Sequence, residues 1–234
     1  MLDATLRPWL RPGLERLAGV AVRRGTPPLA FTLAGLVLGL AAAVAAGFAL
    51  WWAALALWLV SRVFDGLDGP VARLSGRSSA FGGWADFTSD MAVYGAFVAG
   101  CAIGQPDARI ACLVLLVAYY VNAGTLLGLS AAAEKAGITA PDDRTFHFTR
   151  GLAEGTETIV VHALMVLAPA FMASIAWTFA GAVAITIAQR VRLAHRMLGG
   201  TPASAPESSA GLPAPGPPTP APPSPTSGSR HRRP

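Results

Sequence analysis

The chain alternates long apolar blocks with short polar interruptions. Pro28 to Gly47 carries no charge over 20 residues. A bilayer core of about 30 Å needs roughly 20 helical residues at 1.5 Å each. Phe48 to Val60 continues apolar until Arg62 and a cluster of acids. Met91 to Gly104 and Ile110 to Ala133 are uncharged as well. Thr158 to Gln189 is uncharged over 32 residues, about 48 Å as one helix and too long for a single crossing. Pro169 divides it, with a turn expected over 168–174. The pattern predicts an all-α polytopic membrane protein with six transmembrane helices, at 28–47, 50–73, 81–104, 108–133, 150–168 and 172–196.

The two ends follow other rules. Over residues 1–24, Leu10, Leu14, Leu17 and Ala21 share one helical face, with Arg7, Arg11 and Arg16 around the rest. That predicts an N-terminal amphipathic helix at the membrane interface, against the alternative of a frayed leader. From Thr201 onward 11 of 34 residues are Pro, too little apolar area to offset ordering, so a disordered tail is expected over 199–234. The six-helix domain is bounded at 25–198.

Composition agrees: 53% of residues are hydrophobic and 13% charged, where soluble domains carry roughly a quarter charged. Cys101 and Cys112 lie in apolar runs, so no disulfide framework or Cys-rich zinc site is expected. The net charge is +5, but the basic residues are scattered, which argues for a topology signal and against nucleic acid as a partner. Of 18 basic residues, only Arg109 falls near a loop that would be outside if the N-terminus is inside. Both termini are therefore expected in the cytoplasm. The wealth of Ala and Arg beside a single lysine, Lys135, suggests a GC-rich bacterium, and hence its inner membrane.

Asp65, Asp68, Asp86, Asp90, Glu154 and Glu157 fall inside the predicted spans. A carboxylate there costs about 2.5–3.5 kcal/mol on insertion scales, so each needs a partner and usually marks function. All six lie toward the cytoplasmic ends of their helices. Asp65 and Asp68 are three apart, while Gly82, Asp86 and Asp90 are successive steps of four, so each set shares a helix face. Four carboxylates presented by neighbouring antiparallel helices repel one another, and one arginine cannot neutralise them. Divalent cations can. All-oxygen ligation suits Mg²⁺ or Mn²⁺, with Ca²⁺ a further alternative, and two ions fit the charge better than one.

The stretch Asp65-Gly-Leu-Asp68-Gly69-Pro-Val-Ala72-Arg73, then Gly82, Asp86 and Asp90, matches D-x-x-D-G-x-x-A-R-x8-G-x3-D-x3-D at all eight fixed positions. It resembles the CDP-alcohol phosphatidyltransferase family over about residues 5–198. The resemblance implies a phosphotransferase that moves a phosphatidyl group from a CDP-lipid, such as CDP-diacylglycerol, to a small alcohol with loss of CMP. By the same resemblance, Asp65, Asp68, Asp86 and Asp90 hold the metals. Gly69, Ala72, Arg73, Ser79 and Gly82 contact the CDP-lipid, and Asp90 also serves as the base.

Pro70 deprives the Gly66 carbonyl of its helical partner, so a kink is expected. Thr26-Pro27-Pro28 departs from the family's Thr-Pro-Asn, and Thr26 is read as a helix cap. Arg150, Glu154 and Glu157 share a face and are candidates for the acceptor pocket; a structural Arg150–Glu154 pair is the alternative. The two acids there lean the acceptor toward an unphosphorylated polyol or amino alcohol. His162 is read as a core histidine, and Asn122, Thr125 and Ser130 as interhelical hydrogen-bonding residues. Gly35 and Gly39 are expected at close helix contacts, with a homodimer seam as one option. Trp51, Trp52 and Trp58 are assigned to an interfacial belt or lipid contacts. A divalent-cation transporter using the same acids, and a silent relative, are the rival readings. The almost wholly apolar outer halves of the helices disfavour the first, and the intact acid set disfavours the second.

Overall fold

The computed structural model describes residues 2–137 and 155–199. The tail expected over 199–234 lies, beyond Gly199, outside the described residues. Seven α-helices follow one another among the described residues: α1 (Leu2–Arg23), α2 (Pro28–Gly47), α3 (Trp51–Ser75), α4 (Ala80–Gly104), α5 (Arg109–Lys135), α6 (Gly155–Leu167) and α7 (Met172–Leu198). No strand occurs among them. Single 3₁₀ turns at Pro106–Ala108 and Pro169–Phe171 introduce α5 and α7. The second is the break expected at Pro169.

Helices α2, α4, α5 and α7 are long and apolar enough to cross a membrane. Helix α3 has the length, 25 residues, but carries Arg62, Asp65, Asp68 and Arg73. Helix α6 has only 13 described residues. Val37, Phe48, Trp52, Ile110, Val117 and Phe171 are all exposed, an apolar surface that only a lipid environment leaves without cost. The chain is a membrane protein.

Helix α2 is the hub, packing closely along both α3 and α4, whereas α3 and α4 make no comparable backbone contact with each other. The expectation that α3 and α4 pack directly is therefore corrected: they meet through side chains across a wider gap. Small residues make the hub possible. A Cβ on Gly100 or Gly104 of α4 would run into the carbonyls of Ala43 or Ala46 on α2. Gly35 faces the backbone of Ser61 and Asp65, and Gly39 faces Val93 and Ser61. Both glycines are buried inside the bundle, so they do not form a surface seam.

The main apolar core lies at the end of the bundle away from the α3–α4 turn. It is built from Ala42, Ala46, Trp58, Phe97, Leu115, Met165, Met172 and Val183 among others. A smaller cluster joins Ala18 and Ala21 of α1 to Leu67 and Val71 of α3. Of the expected face of α1, Leu14 and Ala21 pack here, whereas Leu17 is exposed. Trp58 is fully buried and donates from Nε1 to the Ile159 carbonyl, which corrects its assignment to a lipid-facing belt. Trp52 is exposed as that assignment requires.

Candidate active site

The site is built where α3 ends and α4 begins. Gly76, at φ 66°, closes α3 in the left-handed conformation, which glycine adopts without a Cβ penalty. The Arg77 N–H then returns to the Ala72 carbonyl at 2.9 Å. Ser79 starts α4: its Oγ accepts from the Gly82 N–H at 3.0 Å, an N-cap. The helix α3 continues through Pro70 to Ser75, so the proline does not end it.

This turn sets the two acid faces against each other in antiparallel register. Asp68 meets Asp86, and Asp65 meets Asp90, each pair at hydrogen-bonding range. The structure thus brings together all four aspartates read from the sequence. Two are held by further groups. Asp68 Oδ1 accepts from the Gly69 N–H at 2.6 Å, and its Oδ2 from Thr32 Oγ1 of α2 at 2.7 Å. Asp90 Oδ1 accepts from Arg62 Nη1 at 2.5 Å, and its Oδ2 from the Tyr94 hydroxyl at 3.3 Å. Arg62 Nη1 also lies 3.6 Å from Asp65 Oδ2.

Arg62, Thr32 and Tyr94 were not among the residues selected by motif. The available signal for Arg62 was its position at the end of an apolar run, three residues before Asp65 and within a predicted span, where a charge is itself costly. One guanidinium against four carboxylates leaves most of the negative charge uncompensated. The donor set, oxygen only, suits hard divalent ions. As they stand, the acids are paired two by two, and among the described residues no three acid, His or Cys side chains are arranged to hold one ion.

The remaining motif residues lie along the last turns of α3, the connection and the first turn of α4. Arg73 is exposed, and its Nη1 lies 3.3 Å from where a Cβ on Gly69 would stand. Ala72 is half-buried and Ser79 exposed. A Cβ on Gly82 would come 3.2 Å from Ser79 Oγ. Glu157 is half-buried in the first turn of α6, while Arg150 and Glu154 lie outside the described residues. His162 is fully buried, with Nε2 2.9 Å from the Tyr119 hydroxyl, as a core histidine. Asn122 and Thr125 of α5 receive Arg190 of α7: Nη1 lies 2.7 Å from Asn122 Oδ1 and 3.4 Å from Thr125 Oγ1.

The model of the family described as CDP-alcohol phosphatidyltransferase matches residues 26–188. The chain belongs to that family. It is 34% identical over 176 residues to "Inner membrane protein YnjF" of Escherichia coli, covering 74% of this chain and 85% of the relative. It is 30% identical over 215 residues to a phosphatidylinositol phosphate synthase of Mycobacteroides abscessus, covering 83% and 89%. The fold is shared with the phosphatidylinositol phosphate synthase of Mycobacterium tuberculosis. Its crystal structure with CDP-DAG bound aligns with a TM-score of 0.66 at 24% identity, covering 82% of this chain and 98% of that one. A second structure of that protein, in complex with manganese and citrate, aligns at 0.65 and 23%, covering 82% and 93%. A CDP-alcohol phosphatidyltransferase is an enzyme of phospholipid synthesis, and family membership decides against the cation-transporter reading.

Proposed function

We propose that this phosphatidyltransferase uses CDP-diacylglycerol as donor and a small alcohol as acceptor, with two Mg²⁺ or Mn²⁺ ions held by Asp65, Asp68 and Asp86, and by Asp90 as the fourth member of the set. The observation that carries the reading is the facing of Asp65 with Asp90 and of Asp68 with Asp86, which turns the spaced motif into one acidic site. When bound, the ions neutralise the diphosphate as charge moves onto the departing CMP. Gly69, Ala72 and Gly82 offer the nucleotide a backbone without bulky side chains, and Arg73 forks onto a phosphate. Asp90 is the base. A carboxylate has about four lone-pair directions, so Asp90 keeps its bonds to Arg62 and Tyr94 and still accepts a proton. The acceptor oxygen attacks the phosphorus bearing the diacylglycerol. A new P–O bond forms, the diphosphate P–O bond breaks, the proton goes to Asp90 and CMP leaves.

Both termini and this site are assigned to the cytoplasmic side of a bacterial inner membrane, a reading supported by the positive-inside distribution of Arg and by the name of the Escherichia coli relative. Residues 1–24 serve as the interfacial helix and 199–234 as the tail. Glu157, with Arg150 and Glu154, favours an unphosphorylated acceptor. A phosphorylated one is the second reading. It is favoured by Arg190, which is buried and bonded to neutral Asn122 and Thr125 only, among the described residues, and by the activity named for the Mycobacteroides abscessus relative.

The test is CMP release from CDP-diacylglycerol by purified protein, with glycerol, inositol, serine, glycerol 3-phosphate and inositol phosphate offered singly. Wild type is expected to release CMP only with acceptor, and EDTA to stop it until Mg²⁺ or Mn²⁺ is restored. Asp90→Ala should lose about 10²–10⁴-fold in rate. Equal rates from the two proteins would remove Asp90 as the base. Turnover with the phosphorylated acceptors alone would select the second reading.

A further inference from the structure

We infer that Arg62 is a positioning residue, whose guanidinium fixes the direction in which the Asp90 carboxylate meets the acceptor hydroxyl. The role follows only if Asp90 is the proposed base. The last torsion of an aspartate is broad and nearly two-fold, so the plane of its carboxylate is set by whatever it bonds. Asp90 is bonded on both sides. Arg62 Nη1 holds Oδ1 at 2.5 Å, and the Tyr94 hydroxyl holds Oδ2 at 3.3 Å.

Arg62 is itself held. Its carbon Cζ lies 5.0 Å from the Trp58 ring centroid and 5.3 Å from that of Tyr94, within reach of a cation–π attraction. Its Nη2 bonds Ser61 Oγ at 2.9 Å, and that hydroxyl donates to the Gly35 carbonyl of α2 at 2.7 Å. A continuous line of contacts therefore runs from the α2 backbone to the base. The side chain of Arg62 is 5% exposed. Its Nε is buried with no hydrogen-bond partner among the described residues, although buried donors are nearly always paired. The guanidinium also sits where two facing carboxylates, Asp65 and Asp90, would otherwise repel and swing apart.

The experiment compares Arg62→Gln, Arg62→Lys and Tyr94→Phe with wild type and Asp90→Asn. Each protein is measured for kcat and KM for CDP-diacylglycerol, Mn²⁺ binding by electron paramagnetic resonance, and melting in detergent. Arg62→Gln is expected to lose about 100-fold in kcat, the order of loss from misplacing a reacting group by 1 Å, while KM stays within about threefold and Mn²⁺ binds as tightly or more so. Arg62→Lys should recover a substantial part of kcat, since one donor with the same charge reaches Asp90. Tyr94→Phe, which removes only a hydroxyl, should keep the wild-type melting temperature and lose several-fold in kcat. Wild-type kcat in both Arg62→Gln and Tyr94→Phe overturns the role. So does an Arg62→Lys no better than Arg62→Gln, or a kcat loss that comes with lost Mn²⁺ binding, because those are the marks of a structural arginine. Full activity in Asp90→Asn instead removes the base, and the role of Arg62 with it.

Discussion

Thr32 shows how much of the site rests on a single hydroxyl from a third helix. It donates to Asp68 Oδ2 at 2.7 Å, and it is buried. A hydrogen bond to a charged group contributes about 1.5–3 kcal/mol, which converts to roughly 10–100-fold. Thr32→Val keeps the shape and removes the donor, and leaves one oxygen of Asp68 free to turn. It is expected to lower kcat/KM for CMP release by that order, while Thr32→Ser stays close to wild type. Equal losses in both would assign the effect to packing of the methyl group. The motif picked out the four aspartates because acids spaced by three and four in an apolar run can be read without a structure. Thr32 and Arg62 could not be read that way. Thr32 acts across 36 positions of sequence, and an Arg at the end of an apolar run looks like the end of that run until its partner on another helix is known.

At the scale of elements, run lengths located α2, α4, α5 and α7 well, because a stretch of some 20 residues with almost no charge has one physical explanation in this setting. Packing order was less legible. The four acids suggested that α3 and α4 lie directly together, yet α2 packs along both and holds them at the distance the acid pairs span. Glycines decide this, and their partners cannot be inferred from one sequence. Gly100 is the sharpest case, since a Cβ there meets the backbone carbonyl of Ala43, which cannot rotate away. Gly100→Ala must push α2 from α4. It is expected to cost about 1–3 kcal/mol, as overpacking does, seen as a lower melting temperature in detergent and reduced activity. Gly95 on the same helix has nothing within 4 Å of its Cβ position. Gly95→Ala should leave stability unchanged or raise it by up to about 1 kcal/mol through helix propensity. If the two variants melt alike, the α2–α4 contact does not limit the fold.

For the whole molecule, the apolar core and the acid site adjoin along the bundle. Phe97, Leu115 and Met172 fill one end, the α3–α4 turn with its aspartates forms the other, and Trp58 lies between them, its ring centroid 5.0 Å from the Arg62 guanidinium carbon. This division lets the charged half give up packing for chemistry while the other half keeps the helices together. It also makes membrane orientation a functional matter, because the site opens toward the side on which the α3–α4 turn lies. The turn carries Arg77, and the far end of the bundle carries Asp107 just before α5. Positive charge favours the cytoplasmic side, so the two positions report opposite faces. Both native cysteines are buried, Cys101 and Cys112 alike, and give little background to a thiol reagent. In cells with a permeabilised outer envelope and an intact inner membrane, an impermeant maleimide is expected to label Asp107→Cys and to spare Arg77→Cys. Breaking the inner membrane should then label both. The reverse pattern would put the aspartates on the outer face, away from a cytoplasmic supply of nucleotide-activated lipid, and would invert the proposed topology while leaving the pairing of the acids untouched.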